Sequence, residues 1–288
     1  MNELPGHRPA VEPARSFDLV ADAYDRARPS YPEEAVSWLL GSGGRPEVVE
    51  LGAGTGKLTQ QLLARRCTVI ATDPSEAMLA RLVARAPGAR VVAGRAEQVP
   101  LRSRSADLVV AAQAFHWFDT ETTLREVARV LRPGGRLAMV WNSRDERIPW
   151  VKRLGRIIGT AAQEDDPSAA IDETGMFETV ERATFRFWQP LHRESLRDLV
   201  ASRSTVAVMS DLERERVLRK VDELYDEYGR GADGMLLPYV TTACRTTVLP
   251  WALPPESPPE PPDRGSLPHG DVGGPGSMDD DALLIDFR

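Results

Sequence analysis

The sequence predicts an α/β fold, a doubly wound and mostly parallel sheet with helices on both faces. Two observations carry that expectation. From residue 46 to 142, short apolar runs alternate with amphipathic segments of helical period. Inside that stretch, Val48-Val49-Glu50-Leu51-Gly52-Ala53-Gly54-Thr55-Gly56-Lys57-Leu58-Thr59 passes from a buried strand through a glycine turn into a helix, and a second apolar run, Cys67 to Thr72, ends at Asp73.

The first 15 residues are rich in proline and polar groups and are expected to be loose. Residues 16–45 are expected to be an N-terminal helical stretch, because Asp18–Tyr24 and Pro32–Leu40 keep a helical period and Pro32 suits a first helical turn. Residues 46–142 are the ligand-binding core, and 143–249 supply substrate-region helices and the last two strands. In that second stretch 148–163 is expected to be helical, Ala183–Trp188 alternates as a strand, and 193–229 holds two helical segments. Val240–Val248 is rich in β-branched residues and makes the final strand. The remainder, 250–288, carries eight prolines and five glycines after residue 250, too little apolar surface to offset ordering entropy, and is expected to be disordered. Its end, Asp279–Arg288, mixes acids with large apolar groups, as in a segment that docks on a partner or on the chain's own cleft. A solvated tail with no role is the simpler alternative.

The composition, 42% hydrophobic and 27% charged over 288 residues, is enough for one large domain or a domain with an appended lid. No run reaches the roughly 18 to 20 apolar residues of a membrane span. Met1–Gly6 is not a secretory signal, so the expected location is cytoplasmic. Cys67 and Cys244 are too few and too distant for a disulfide framework or a zinc site, and both are expected to be buried and inert. Residues 251–288 hold eight acids and two bases, which leaves the first 250 at −1 of the chain's −7. That near-neutral region lacks the basic excess of a protein that grips nucleic acid.

The glycine turn can meet a nucleoside with bare backbone, and the helix after it offers unpaired N–H groups. Asp73 stands seventeen residues beyond Gly56, where an acid at a strand end meets a ribose diol. The position that must be small in a dinucleotide fingerprint is Lys57, which disfavours NAD. A phosphate-cradling P-loop would need Ser or Thr at Leu58 and glycine at Leu51, so that reading fails.

Glu50–Gly56 resembles motif I of the class I S-adenosylmethionine-dependent methyltransferases. Four further stretches follow in that family's order: Asp73–Leu79, the acidic end of strand two; Gly94–Leu101, the adenine-contacting turn; Ala106–Phe118, strand four and its active-site loop; and Leu131–Leu137, the turn into strand five. Arg28-Pro29-Ser30-Tyr31-Pro32 and the His116-Trp117 pair are similar to small-molecule enzymes of the trans-aconitate methyltransferase type. The likeness spans about residues 16 to 249, and its motifs lie before residue 142. It implies a Rossmann-like sheet of seven strands, the last antiparallel, with S-adenosylmethionine as cofactor.

By the same resemblance Gly52, Ala53, Gly54 and Gly56 shape the loop beside the cofactor's methionine part, and Glu50 orients the loop or meets the cofactor ammonium. Asp73 takes the ribose hydroxyls, with Pro74 and Met78 following it; its alternative is a helix N-cap. Ala96 and Glu97 face adenine. Gln113 and Asn142, at the ends of strands four and five, reach cofactor or substrate, and Trp117 packs on adenine or walls the acceptor pocket. Tyr24, Arg28 and Tyr31 are candidates for the cofactor carboxylate or an anionic substrate, since an arginine fork matches two carboxylate oxygens. Ser202-Arg203-Ser204 is a further candidate for the pocket. His116 is the catalytic candidate, a base for a hydroxyl acceptor or a hydrogen-bond donor to a carboxylate; a structural contact with Trp117 is its alternative.

Methyl transfer from a sulfonium is a direct displacement, in which positioning supplies most of the catalysis. A carboxylate acceptor needs no base at neutral pH, whereas a phenol or amine does. No Asp/Asn-Pro-Pro-Tyr follows strand four, neither cysteine follows a proline, and no acidic set for a divalent metal is evident. The sequence therefore points to methylation of a small molecule, O-methylation of a carboxylate or hydroxyl first, with N- or C-methylation of a specialised metabolite second. A regulatory protein that binds the cofactor without turnover and a nucleotide-dependent oxidoreductase are the readings from other classes.

Overall fold

A computed structural model describes residues 28–159, 167–229 and 233–255. In chain order its elements are α1 (Glu33–Leu40), β1 (Glu47–Leu51), α2 (Lys57–Ala64), β2 (Thr68–Asp73), α3 (Glu76–Arg85), β3 (Arg90–Ala93) and β4 (Ala106–Ala112). A 3₁₀ turn at Phe115–Trp117 leads to α4 (Thr120–Val130), β5 (Leu131–Arg144), α5 (Pro149–Ile158), α6 (Ser168–Thr174) and β6 (Glu181–Leu191). Last come α7 (Arg193–Ala201), α8 (Ser204–Ala207), α9 (Asp211–Tyr228) and β7 (Met235–Thr247). Tyr24, residues 1–15, the first predicted helix and the tail after residue 255 lie outside the described residues.

The seven strands form one sheet in the order β3-β2-β1-β4-β5-β7-β6. Strands β1 to β5 pair in parallel, and β7 inserts antiparallel between β5 and β6. Helices bury both faces, which is why β1 and β4 read as nearly unbroken apolar runs. One face packs Val49, Leu51, Val109 and Leu137 against Leu124 and Val127 of α4. The other packs Val48, Val69 and Val110 against Val36 and Leu39 of α1 and Leu58 and Leu62 of α2. A separate apolar cluster joins α5, α7 and α9 to β6 and β7 through Leu154, Leu196, Leu224 and Leu237. The order reverses between β1 and β4, so a crevice opens past the carboxyl ends of those strands.

Several boundaries differ from the sequence expectation. Helix α1 begins at Glu33, and Pro32 stands outside it as the N-cap. Strand β5 already pairs at Leu131, and Arg132-Pro133-Gly134-Gly135 is a bulge within it rather than a turn before it: the register steps from Ala106↔Leu131 to Leu108↔Arg136. The bulge aims Arg132 at Glu47 and Asp107, which ties β1, β4 and β5 at the edge remote from the crevice. Strand β7 starts at Met235, because apolar Leu237 and Tyr239 continue the buried face ahead of the β-branched run. Region 193–229 holds three helices, the extra one a single turn at α8. Cys67 and Cys244 are both free and buried.

Candidate active site

The crevice is built first by the loop between β1 and α2. Ala53 N–H donates to the Thr72 carbonyl at 2.9 Å, and Gly56 N–H to the Ala53 carbonyl at 3.0 Å, so the loop folds over the end of β2. At Gly52, φ is +64° and a Cβ would fall 2.7 Å from Ala114 Cβ and 3.3 Å from the Phe118 ring. Glycine there lets the loop after β4 close against the loop between β1 and α2. At Gly54, φ is +54° and a Cβ would meet nothing within 4 Å, an open cradle bordered by backbone.

Two carboxylates flank this cradle. Asp73 ends β2, is 8% exposed, and accepts Gly54 N–H at Oδ2 and Ser75 N–H at Oδ1, both at 2.9 Å. The cap of α3 is Ser75, whose Oγ accepts Met78 N–H at 3.3 Å. A carboxylate oxygen can accept more than one hydrogen bond. Glu50 ends β1, is 1% exposed, and accepts the Thr59 hydroxyl at 2.6 Å. Burial, reinforced by the negative charge of Asp73, raises the Glu50 carboxyl from the usual 4.5 to about 8, against the lowering effect of the Thr59 hydrogen bond. A ligand with a cationic group and a ribose diol matches this pair: the cation relieves the buried carboxyl, and the diol donates to Asp73.

The turn after β3 lies beside Asp73, since Gly94 N–H donates to the Asp73 carbonyl at 3.3 Å. Ala96 is buried. Glu97 is half-buried and spends Oε1 on Asp119 N–H at 3.1 Å, with Arg95 3.4 Å from Oε2. It therefore joins this turn to the N-terminus of α4. Met78 is buried under the loop and Pro74 is exposed.

Past β4 the backbone turns at Gln113, a non-glycine residue with φ +57°, a strained conformation found preferentially at ligand sites. Its Nε2 donates to the Asn142 carbonyl at 3.1 Å. Asn142 in turn donates Nδ2 to the Ser30 carbonyl at 3.1 Å and accepts the Thr241 hydroxyl at 2.7 Å. These bonds bring the ends of β4, β5 and β7 under the segment 28–31. Arg28 is half-buried there, whereas Tyr31 packs with Val36 and Leu39 in the apolar cluster, its backbone clamped by the Gln61 amide. His116 and Trp117 stand exposed on the 3₁₀ turn with ring centroids 4.7 Å apart. Partial desolvation holds the His116 imidazole below its ordinary 6.5, so it is neutral near pH 7. Phe118 turns inward onto Phe115 and the Gly52 backbone.

Sequence reasoning overlooked Arg144 and Tyr239, which face each other across β5 and β7 at the crevice rim. The available signal was the position of Arg144, two residues past Asn142 on the same strand. No group of three or more His, Cys, Asp or Glu side chains that could hold a metal occurs among the described residues, and no helix among them is long and apolar enough to cross a membrane.

Residues 49–139 match a family described as a methyltransferase domain. Over 235 residues the chain is 44% identical to an uncharacterized methyltransferase of Mycobacterium bovis, covering 81% of this chain and 96% of that protein. An uncharacterized methyltransferase-like protein of Schizosaccharomyces pombe is 36% identical over 236 residues, 78% of this chain and 91% of its own. A solved structure from Anaeromyxobacter dehalogenans, described provisionally as a type II methyltransferase, superposes with a TM-score of 0.55 at 25% identity, covering 79% of this chain and 99% of that one.

Proposed function

The chain belongs to the class I S-adenosylmethionine-dependent methyltransferases, and from that premise we propose that it methylates a small-molecule acceptor, at a carboxylate or hydroxyl oxygen. The observation that carries the cofactor assignment is the pair Glu50 and Asp73 around the open Gly54 cradle, a donor set suited to a cationic nucleoside. When bound, S-adenosylmethionine supplies an electrophilic methyl group on a sulfonium.

The chain's residues divide the remaining work. Asp73 accepts the ribose hydroxyls while Gly54 N–H holds its carboxylate in place. Glu50, once ionised, faces the ammonium group. Ala96 and Glu97 border the adenine. Arg28 is within electrostatic range of Lys57 at the start of α2. Trp117 and His116 wall the acceptor side, and Gln113 and Asn142 fix the floor between them. His116, neutral at pH 7, either takes the proton of a hydroxyl acceptor or donates a hydrogen bond to a carboxylate acceptor, which needs no base. The near-neutral charge of residues 1–250 supports a small acceptor over a nucleic acid.

The test is S-adenosylhomocysteine formation against a panel of small acids, phenols and amines, with Asp73→Ala as control. Turnover on acids or hydroxyl compounds, abolished in the variant, is the expected result. Turnover on amines alone would replace O- by N-methylation, and cofactor binding without product on any class would favour a regulatory binder.

A further inference from the structure

The rim of the crevice over β5 and β7 concentrates positive charge that none of these roles requires. Arg144 closes β5 opposite Tyr239, and its side chain is 8% exposed. Its Nε is buried with no hydrogen-bond partner among the described residues, and its ion pair with Glu146 is long, 3.5 Å. Arg28, Arg144 and Arg203 all lie within electrostatic range of the Tyr239 hydroxyl, and Arg28 is also within range of Arg144. Tyr239 is 5% exposed and stacks on Phe187 at 5.1 Å, so the phenol is a fixed post among the three guanidinium groups. Burial pulls the Arg144 pKa down, and the nearby Arg28 charge adds to that. A guanidinium this deeply buried, with one long carboxylate contact, is costly unless an anion completes it.

The cluster is continuous with the crevice floor. Arg144 follows Asn142 by two residues, and Gln113, three residues before His116, bonds to the Asn142 carbonyl. It is also displaced from the cofactor cradle. Strands β4 and β5 separate β1 from β7, and the two spacings from β1 to β5 alone put about 10 Å between the cofactor loop and Arg144. A group held at Arg144 is therefore not the group beside the cradle. An oxygen paired with a guanidinium would also be a poor nucleophile, so the anchored and the methylated atoms should differ.

We propose that Arg144, with Arg28 and Arg203, forms a carboxylate-recognition site for the methyl acceptor, which anchors the substrate by an acidic group separate from the atom that is methylated. This assignment rests on the methyl-transfer reading above and adds the acceptor's chemical class. Bidentate pairing from the arginine fork would fix both the position and the direction of the acceptor's chain relative to His116.

The experiment is calorimetric titration of the full chain with malonate, glutarate and adipate, with and without S-adenosylhomocysteine. Glutaramide serves as the neutral isostere and inorganic phosphate as the competing anion. At least one diacid should bind the wild type, bind Arg144→Gln at least tenfold more weakly, and be matched by neither glutaramide nor phosphate, while cofactor affinity changes less than twofold. Arg203→Gln, on the rim, should show the same direction and decides the matter if Arg144→Gln does not fold. No diacid binding to the wild type, equal binding in the variants, or phosphate in place of the diacids would overturn the assignment. Absence of turnover on every acceptor would instead count against the methyl-transfer reading, because the anion titration does not depend on it.

Discussion

Thr59 reaches back across the glycine loop and donates its hydroxyl to Glu50 Oε2 at 2.6 Å, with both residues at most 1% exposed. The strand end and the first turn of α2 are thus locked by one buried polar contact. Burial raises the carboxyl in it to about 8, so under the proposed contact with the cofactor ammonium its ionisation would couple the fold to binding.

With a folded pKa of about 8 against 4.5 unfolded, Glu50 keeps a proton in the fold that the unfolded chain has already released. Its contribution therefore falls as pH rises from 4.5 to 8, by at most about 1.4 kcal/mol for each pH unit, and is flat beyond. Unfolding midpoints of the cofactor-free protein measured from pH 5 to 8.5 should decline in the wild type more steeply than in Glu50→Gln. Cofactor affinity should rise with pH towards 8 in the wild type and lose that slope in the variant. Parallel curves would show that Glu50 does not titrate in this window.

Asp73→Ala removes the acceptor that holds Gly54 N–H and the proposed ribose contact together. The loss should be about 10- to 100-fold in cofactor affinity, as for one or two charged hydrogen bonds. Asp73→Asn, which keeps one acceptor, should fall between, and titration with S-adenosylhomocysteine measures both.

Gly54→Ala and Gly52→Ala separate binding from folding. At Gly54 the added carbon meets no protein atom within 4 Å, so stability should drop only by the roughly 1–2 kcal/mol of a left-handed alanine, while cofactor binding weakens more than tenfold. At Gly52 the added carbon lies 2.7 Å from Ala114 Cβ, so unfolding should show the larger loss. Equal effects of the two on unfolding would contradict an open cradle at Gly54.

His116→Ala should discriminate acceptors. For a hydroxyl acceptor, kcat/KM in the wild type should rise with pH through a value below 6.5 and level off, since the base is the neutral imidazole. That limb should vanish in His116→Ala with a loss of about 100-fold or more. For a carboxylate acceptor the loss should stay under about tenfold, the cost of one hydrogen bond. A limb that survives the substitution would assign the titration elsewhere.

Much of the cofactor side is legible in the sequence because its signals are local. Glycines at 52, 54 and 56 between two apolar runs, and an acid at the end of the second, force a strand, a tight loop, a helix and a strand edge. The rest depends on contacts between distant segments. The bulge at 132–135 looks like a turn until β4 pairs on both sides of it, and Tyr31 looks like a lid residue until α1 packs it into the core. That Glu97 also accepts the Asp119 N–H, and so ties the turn after β3 to α4, cannot be read before the two segments meet.

By itself, the order of apolar runs, glycines and one strand-end acid determined the fold class, the family and the glycine loop between β1 and α2. Tertiary structure decided the electrostatics: which carboxyl is buried enough to hold its proton, and which arginines gather around Tyr239 from positions 28, 144 and 203. The physical reason is that backbone conformation follows neighbouring residues, whereas the charge state of a group follows its burial and its partners, and those are set only when strands, loops and helices pack together.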